Sequence, residues 1–202
     1  MALRRSIHDE VCREGWNEGL SSFTPYYGGQ EIDASLLLPL VGFLPADDPR
    51  MAATIETIRR DLTEDGLVRR LKAKSGKTEE GAFLACSCWM ADCLSLQGRH
   101  EEARAQFERV LAVCNDVGLL SEEYDVPAKH LAGNFPQALT HLAVVNTALG
   151  LSGPRVQRKR CQAALGDGTG THAGRGTHMS EQDVWVQSAV RACAILRVCN
   201  LW

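Results

Sequence analysis

No apolar run in this 202-residue chain approaches the length needed to cross a bilayer, and the amino-terminal Met1-Ala-Leu-Arg-Arg-Ser-Ile-His8 has no apolar core of signal-peptide length. Both absences point to the cytoplasm. A basic excess is missing too. The formal net charge is −3, which argues against a nucleic-acid or membrane partner. The charge is uneven, however: residues 151–202 carry seven Lys/Arg and three Asp/Glu, a balance of +4 against −7 for residues 1–150. Cysteine occurs eight times, but without the paired Cys-x-x-Cys spacing or histidine partners that zinc requires. Cys86, Cys88 and Cys93 fall inside one apolar run, and Cys12 and Cys114 also fall in predicted helices. Such thiols serve as small buried hydrophobes in a reducing compartment. No metal and no cofactor is implied.

Helical periodicity fills what remains. The size suggests one domain with a sizeable core, with or without a tail. Residues 2–15 form a moderately amphipathic helix carrying Leu3, Ile7 and Val11. Residues 33–44 (DASLLLPLVGFL), 81–97 and 135–150 are apolar nearly all round, with Asp33 available as N-cap of the first. Residues 50–62 and 101–114 are striped instead. Met51, Ile55, Ile58 and Leu62 lie on one face of the former, and Ala103, Phe107, Val110, Leu111 and Cys114 on one face of the latter. Gly98 suits the position that ends the 81–97 helix, and Glu101 and Glu102 favour the start of the next.

A helix without a polar face must be surrounded, so the apolar helices are expected inside and the striped ones outside. The links 45–49 and 98–100 are short, whereas 16–32, 63–80 and 115–134 are long. Antiparallel neighbours then gather the long links on one rim, above the starts of the inner helices. Long loops in compact domains usually serve function. The expected fold is all-α, an alternation of about six inner and outer helices. Within 115–134 stands Leu119-Leu-Ser-Glu-Glu-Tyr-Asp125. Its carboxylates, held at the mouth of a buried helix opening at Asn134-Phe-Pro-Gln137, are placed for proton transfer. The plainer reading of the same residues is a solvated acidic turn.

Residues 151–202 break the pattern. Arg155-Val-Gln-Arg-Lys-Arg160 leads into a Gly/Thr/His-rich stretch with no periodicity, expected to be loosely attached over 151–180. Gly166-x-Gly168-x-Gly170 follows no predicted strand, so it does not read as a phosphate loop. Residues 183–202 are expected to form a short amphipathic helix.

Five segments, in order, resemble glycoside hydrolase family 15, the glucoamylase and trehalase-like enzymes. They are Asp33-Ala-Ser-Leu-Leu-Leu-Pro-Leu-Val-Gly-Phe-Leu-Pro45, Asp65-Gly-Leu-Val-Arg-Arg70, Glu80-Gly-Ala-Phe-Leu-Ala-Cys86, Leu119–Asp125 and Gly133-Asn-Phe-Pro-Gln-Ala138. The resemblance, from about Ile7 to Leu151, implies part of an (α/α)6 barrel. It implies an α-glucoside or oligosaccharide substrate, hydrolysed with inversion. It makes Glu122 the general base, and Arg70 the residue that binds hydroxyls of the innermost sugar. Arg69, Glu80, Glu123 and Asp33 match positions around that subsite, Glu123 as a non-catalytic hydrogen-bonding neighbour. Taken alone, Arg69 and Arg70 read equally as a solvated pair, and capping is explanation enough for Asp33. Leu71 stands where the family commonly has an aromatic. Trp89 and Trp16 are candidate sugar platforms, although Trp89, in mid-helix, reads better as core.

The resemblance covers the family's C-terminal part. The general acid belongs to a Trp-Glu-containing loop upstream, and nothing in residues 1–32 matches it. Six helices stand where the closed barrel needs twelve. The chain is therefore expected to be a fragment with little activity, exposing inner-helix surface suited to self-association. Two alternatives remain. Residues 91–114 resemble one tetratricopeptide-like helix pair, which would suit an interaction scaffold. A carbohydrate-binding remnant without turnover is the other.

Overall fold

The structure, a computed structural model, describes residues 2–72 and 80–152. The expectations for the 151–180 tail beyond Ser152, the Gly166–Gly170 loop and the 183–202 helix lie outside these residues. The chain divides at Gly153, and the described residues all belong to the first unit.

Helix α1 spans Ala2–Glu14. Strands β1 (Trp16–Asn17) and β2 (Ser22–Phe23) follow as an antiparallel pair, then a single helical turn, α2, at Leu37–Leu40. Helix α3, Pro49–Leu62, starts where the sequence says it should. Asp48 accepts a hydrogen bond from the Arg50 N–H at 3.0 Å, and Pro49 occupies the first turn, where no N–H is needed. Its buried stripe is Met51, Thr54, Ile55, Thr57, Ile58 and Leu62.

The next link folds as β3 (Thr63–Glu64) and β4 (Leu67–Val68), joined by Asp65-Gly66 with φ of +47° and +75°. Two successive positive φ values make the two-residue turn whose twist matches paired strands. Strand β5 (Ala82–Phe83) runs directly into α4 (Leu84–Leu96), which ends in a Schellman arrangement at Gly98: Gly98 N–H donates to Ser95 O and Arg99 N–H to Leu94 O. Helix α5 (His100–Leu111) returns along α4 and buries Ala103, Phe107 and Val110. Strands β6 (Glu123–Asp125) and β7 (His130–Ala132) precede α6 (Ala138–Ser152).

Helix α4 is the centre. Nine of its side chains, from Leu84 to Leu94, are buried, and it packs against α2, α3, α5 and α6. Cys86, Cys88 and Cys93 lie here as buried thiols outside any disulfide, and burial pushes the Cys88 and Cys93 thiols up. Trp89 stacks at 6.4 Å from Phe83 and Trp16 at 5.4 Å from Phe23, both rings packed against the core.

Two expectations need correction. The described residues are not all-α. Each predicted long link contains paired strands, assembled as β1-β2, β3-β4 and β5-β6-β7. The predicted 33–44 helix shrinks to α2, and Asp33 does not cap it. Leu36 precedes that turn with no side-chain cap, while Asp33 lies in an extended bridge to Leu71, and Ala34 N–H donates to Arg70 O at 2.9 Å. Pairing with Arg70 and Leu71 thus outcompetes the helical start. Helix α6 is apolar yet not surrounded by the described residues: Thr140, Ala143 and Thr147 are buried, while Val145 (54%) and Leu149 (51%) are exposed. No helix among the described residues is long and apolar enough to cross a membrane.

Candidate active site

Short strands bring the sequence-predicted residues side by side. In β6, Glu123 pairs with Phe83 on one side and Ala132 on the other. Arg69 bridges to Ala82 and Leu71 to Asp33, which extends the array sideways. Asp33, Arg69, Arg70, Glu80, Glu122 and Glu123 are thereby carried on neighbouring backbone segments.

Glu122 stands one residue before β6. Its backbone N–H donates to Asn134 O at 2.9 Å, and its carbonyl accepts from Leu84 N–H, the first residue of α4, at 3.1 Å. Among the described residues its carboxylate is held from one side. Oε2 accepts from Asn134 N–H at 3.2 Å and from Asn134 Nδ2 at 2.8 Å. Gly133, at φ +71°, passes directly beside it. A Cβ there would lie 3.0 Å from Glu122 Cβ and 3.1 Å from Oε2, so this approach requires glycine.

Glu123 behaves differently. Burial pushes its carboxyl above the usual carboxylate range, opposed by a hydrogen bond from Gly81 N–H at 2.9 Å. The Glu80 and Glu122 charges raise it further, and Arg70 lowers it. It ties β6 to the residue that opens β5, which is a framework contact.

The two arginines separate clearly. Arg69 is only 14% exposed in its side chain, donates through Nε to Glu64 Oε2 at 3.0 Å and through Nη1 to Glu80 O at 2.8 Å, and pairs again with Glu64 through Nη2. Arg70 is 44% exposed, its fork turned on the Glu80 carboxylate, with Nη2 at 2.9 and 3.2 Å from the two oxygens. The Asp33 carboxylate accepts a hydrogen bond from the Ser35 hydroxyl. Beside this array lies a cavity of about 190 Å³ lined by Arg69, Glu80, Gly81, Asp125, Val126, Pro127 and Ala128. Glu122 does not line it. Among the described residues no cluster of three His, Cys, Asp or Glu is arranged to hold a metal ion.

Sequence reasoning gave no role to Asn134 or Gly133, although both stood in a quoted segment. Their signal is the Gly-Asn pair ahead of a proline-interrupted helix start, which read as a helix opening.

The model of the glycosyl hydrolases family 15 matches residues 1–149. The chain belongs to that family. It is 41% identical over 150 residues to a trehalase of Thermoplasma volcanium, covering 73% of this chain and 24% of that one. It is 40% identical over 153 residues to a trehalase of Mycobacterium tuberculosis, covering 72% and 22%. The chain thus spans about a quarter of the length of the curated relatives it matches. A solved wild-type glycosidase superposes with a TM-score of 0.63 at 23% identity, covering 74% of this chain and 43% of its own. A substituted glycosidase in complex with glucose superposes at 0.54 and 23%, covering 73% and 37%. These likenesses show the fold. Family membership accounts for the α4–α5 pair without a helical repeat.

Proposed function

We propose that this chain supplies the base-bearing sector of an (α/α)6 catalytic domain hydrolysing α-glucosidic bonds with inversion, and that Glu122 is the base. One observation carries the reading: Asn134 occupies Glu122 Oε2 twice, while among the described residues no donor reaches Oε1. A carboxylate held this way keeps one oxygen for a water. In inverting hydrolysis the base removes a proton from the water attacking the anomeric carbon opposite the leaving group. A second carboxyl, roughly 6.5–9.5 Å from the first, protonates the leaving oxygen. No residue of 1–32 matches the family's acid, so the chain by itself turns over little.

Arg70, the exposed member of its pair, takes the sugar hydroxyls through Nη1, because Glu80 holds the Nε–Nη2 edge and fixes the plane of the guanidinium. Arg69, Glu123 and Asp33 hold the frame. Trehalose is the first substrate to try, since the relatives compared are trehalases. The glucose held by a structurally similar glycosidase supports a glucosyl unit in the innermost subsite. In an (α/α)6 arrangement Val145 and Leu149 of α6 would be covered. Where no neighbour covers them, self-association through that face follows. A reducing, cytoplasmic setting suits the five thiols of the described residues, all outside any disulfide.

Glucose release from trehalose and maltose, together with calorimetric titration of both sugars and of glucose, tests the proposal. The expected result is background release with measurable sugar binding that Arg70→Ala weakens about tenfold. Robust turnover lost in Glu122→Gln would retain the base and show that the chain carries an acid of its own. Turnover indifferent to Glu122→Gln, or a wild-type chain that binds none of these sugars, would overturn the reading.

A further inference from the structure

We infer that Asn134 is the positioning residue that decides which oxygen of Glu122 meets the attacking water. The inference rests on Glu122 being the base. Three hydrogen bonds join the two residues: Glu122 N–H to Asn134 O at 2.9 Å, and the Asn134 N–H and Nδ2 to Glu122 Oε2 at 3.2 and 2.8 Å. The first fixes the backbone of one residue against the other. The second and third converge on a single carboxylate oxygen. A carboxylate on a freely rotating side chain presents either oxygen. Two donors on Oε2 remove that freedom and assign proton acceptance to Oε1.

Gly133 completes the restraint. Its φ of +71° turns the chain so that Asn134 N–H faces the carboxylate, and the absence of Cβ lets that turn come within van der Waals contact of Glu122. Asn134 touches no reacting atom in this arrangement, and acts through Glu122 alone. An asparagine suits the place because its amide donates to the carboxylate without bringing a charge of its own.

The experiment uses the full chain and has two arms. By nuclear magnetic resonance, the Asn134 backbone and side-chain amide signals should move together across a single acid titration, and neither should move in Glu122→Gln. Independent movement, or titration that persists in Glu122→Gln, overturns the assignment. In the second arm the probes are 1-deoxynojirimycin, a glucose mimic whose protonated amine seeks the base, and glucose itself. Asn134→Ala keeps the backbone donor and removes Nδ2. It should lower iminosugar affinity about tenfold while changing glucose affinity less than about twofold, because only the cation reads the carboxylate's orientation. An equal loss for both probes reveals a merely structural asparagine. Coupled titration with unchanged iminosugar affinity in Asn134→Ala removes this inference alone. An iminosugar that fails to bind the wild-type chain removes the base reading and takes the inference with it.

Discussion

Replacing Gly133 by alanine perturbs the candidate base without touching it chemically. Two costs add. At φ +71° an alanine sits in the left-handed region, about 1–2 kcal/mol above its preferred conformations. Its Cβ also meets Glu122 Cβ at 3.0 Å and Oε2 at 3.1 Å, so that Glu122 must give way by a few tenths of an ångström. Relieving such overpacking costs about 1–3 kcal/mol more. Gly98 provides the control, since it has φ +79° and nothing within 4 Å of its absent Cβ. Gly98→Ala therefore pays the backbone cost alone. Urea unfolding of both variants, read as the shift of the midpoint at constant slope, should place Gly133→Ala about 1–3 kcal/mol below Gly98→Ala. Equal destabilisation would show that the carboxylate does not occupy the space beside Gly133, and would remove the geometric basis of both proposals.

Thr54→Val tests how the β1-β2 ribbon is fastened. The buried Thr54 hydroxyl accepts from Phe23 N–H at 3.0 Å, and valine leaves that donor orphaned at a cost of about 1–3 kcal/mol, whereas Thr54→Ser retains the bond and loses less; a serine variant as unstable as the valine one would refute this. Glu123→Gln tests the buried carboxyl. Because its folded pKa is raised above the unfolded value of about 4.5, the folded state holds the proton longer, so its contribution is fully present below that value and is lost as pH rises through the folded one. Stability profiles across pH 4–8 should show the wild type losing ground to Glu123→Gln over that interval, and parallel profiles would be inconsistent with the shift.

Helices announce themselves over many residues, and here they were legible. The Met51-Ile55-Ile58-Leu62 stripe locates α3 to within a residue of its observed range, because periodicity over fourteen residues is a strong signal. The strands are two or three residues long, too short for alternation to register, and they are held by side chains elsewhere in the fold. The one local signal was Asp65-Gly66, the dipeptide a two-residue turn prefers. The 33–44 run misled for a related reason: an apolar stretch has no preference between helix and buried extended chain until its partners are known. Pairing of Asp33 with Leu71 decides its first half. Of the candidate site, the acidic segment and both arginines were legible as candidates. What their neighbours do with them depends on contacts from distant positions, as the division of labour between Arg69 and Arg70 illustrates.

The placement of Glu122 follows from a requirement of the helices themselves. The first N–H groups of a helix have no partner within it. Phe83, ahead of α4, offers no side-chain cap, and the Leu84 N–H is satisfied by the Glu122 carbonyl instead. At the other helix, Gln137 N–H donates to Leu120 O at 3.0 Å. His141, in the first turn of α6, accepts from Leu120 N–H through Nε2 at 3.3 Å and contacts Gln137 O through Nδ1 at 2.7 Å. Its ring thereby links Leu120 to the start of α6. Backbone groups on both sides of Ser121 therefore serve as caps for two apolar helices. A loop used in this way cannot drift without exposing helix donors, at about 1–3 kcal/mol for each one left buried and unpaired. The polar segment is thus tied by hydrogen bonds to the core it closes, which is what a candidate base would need for its position.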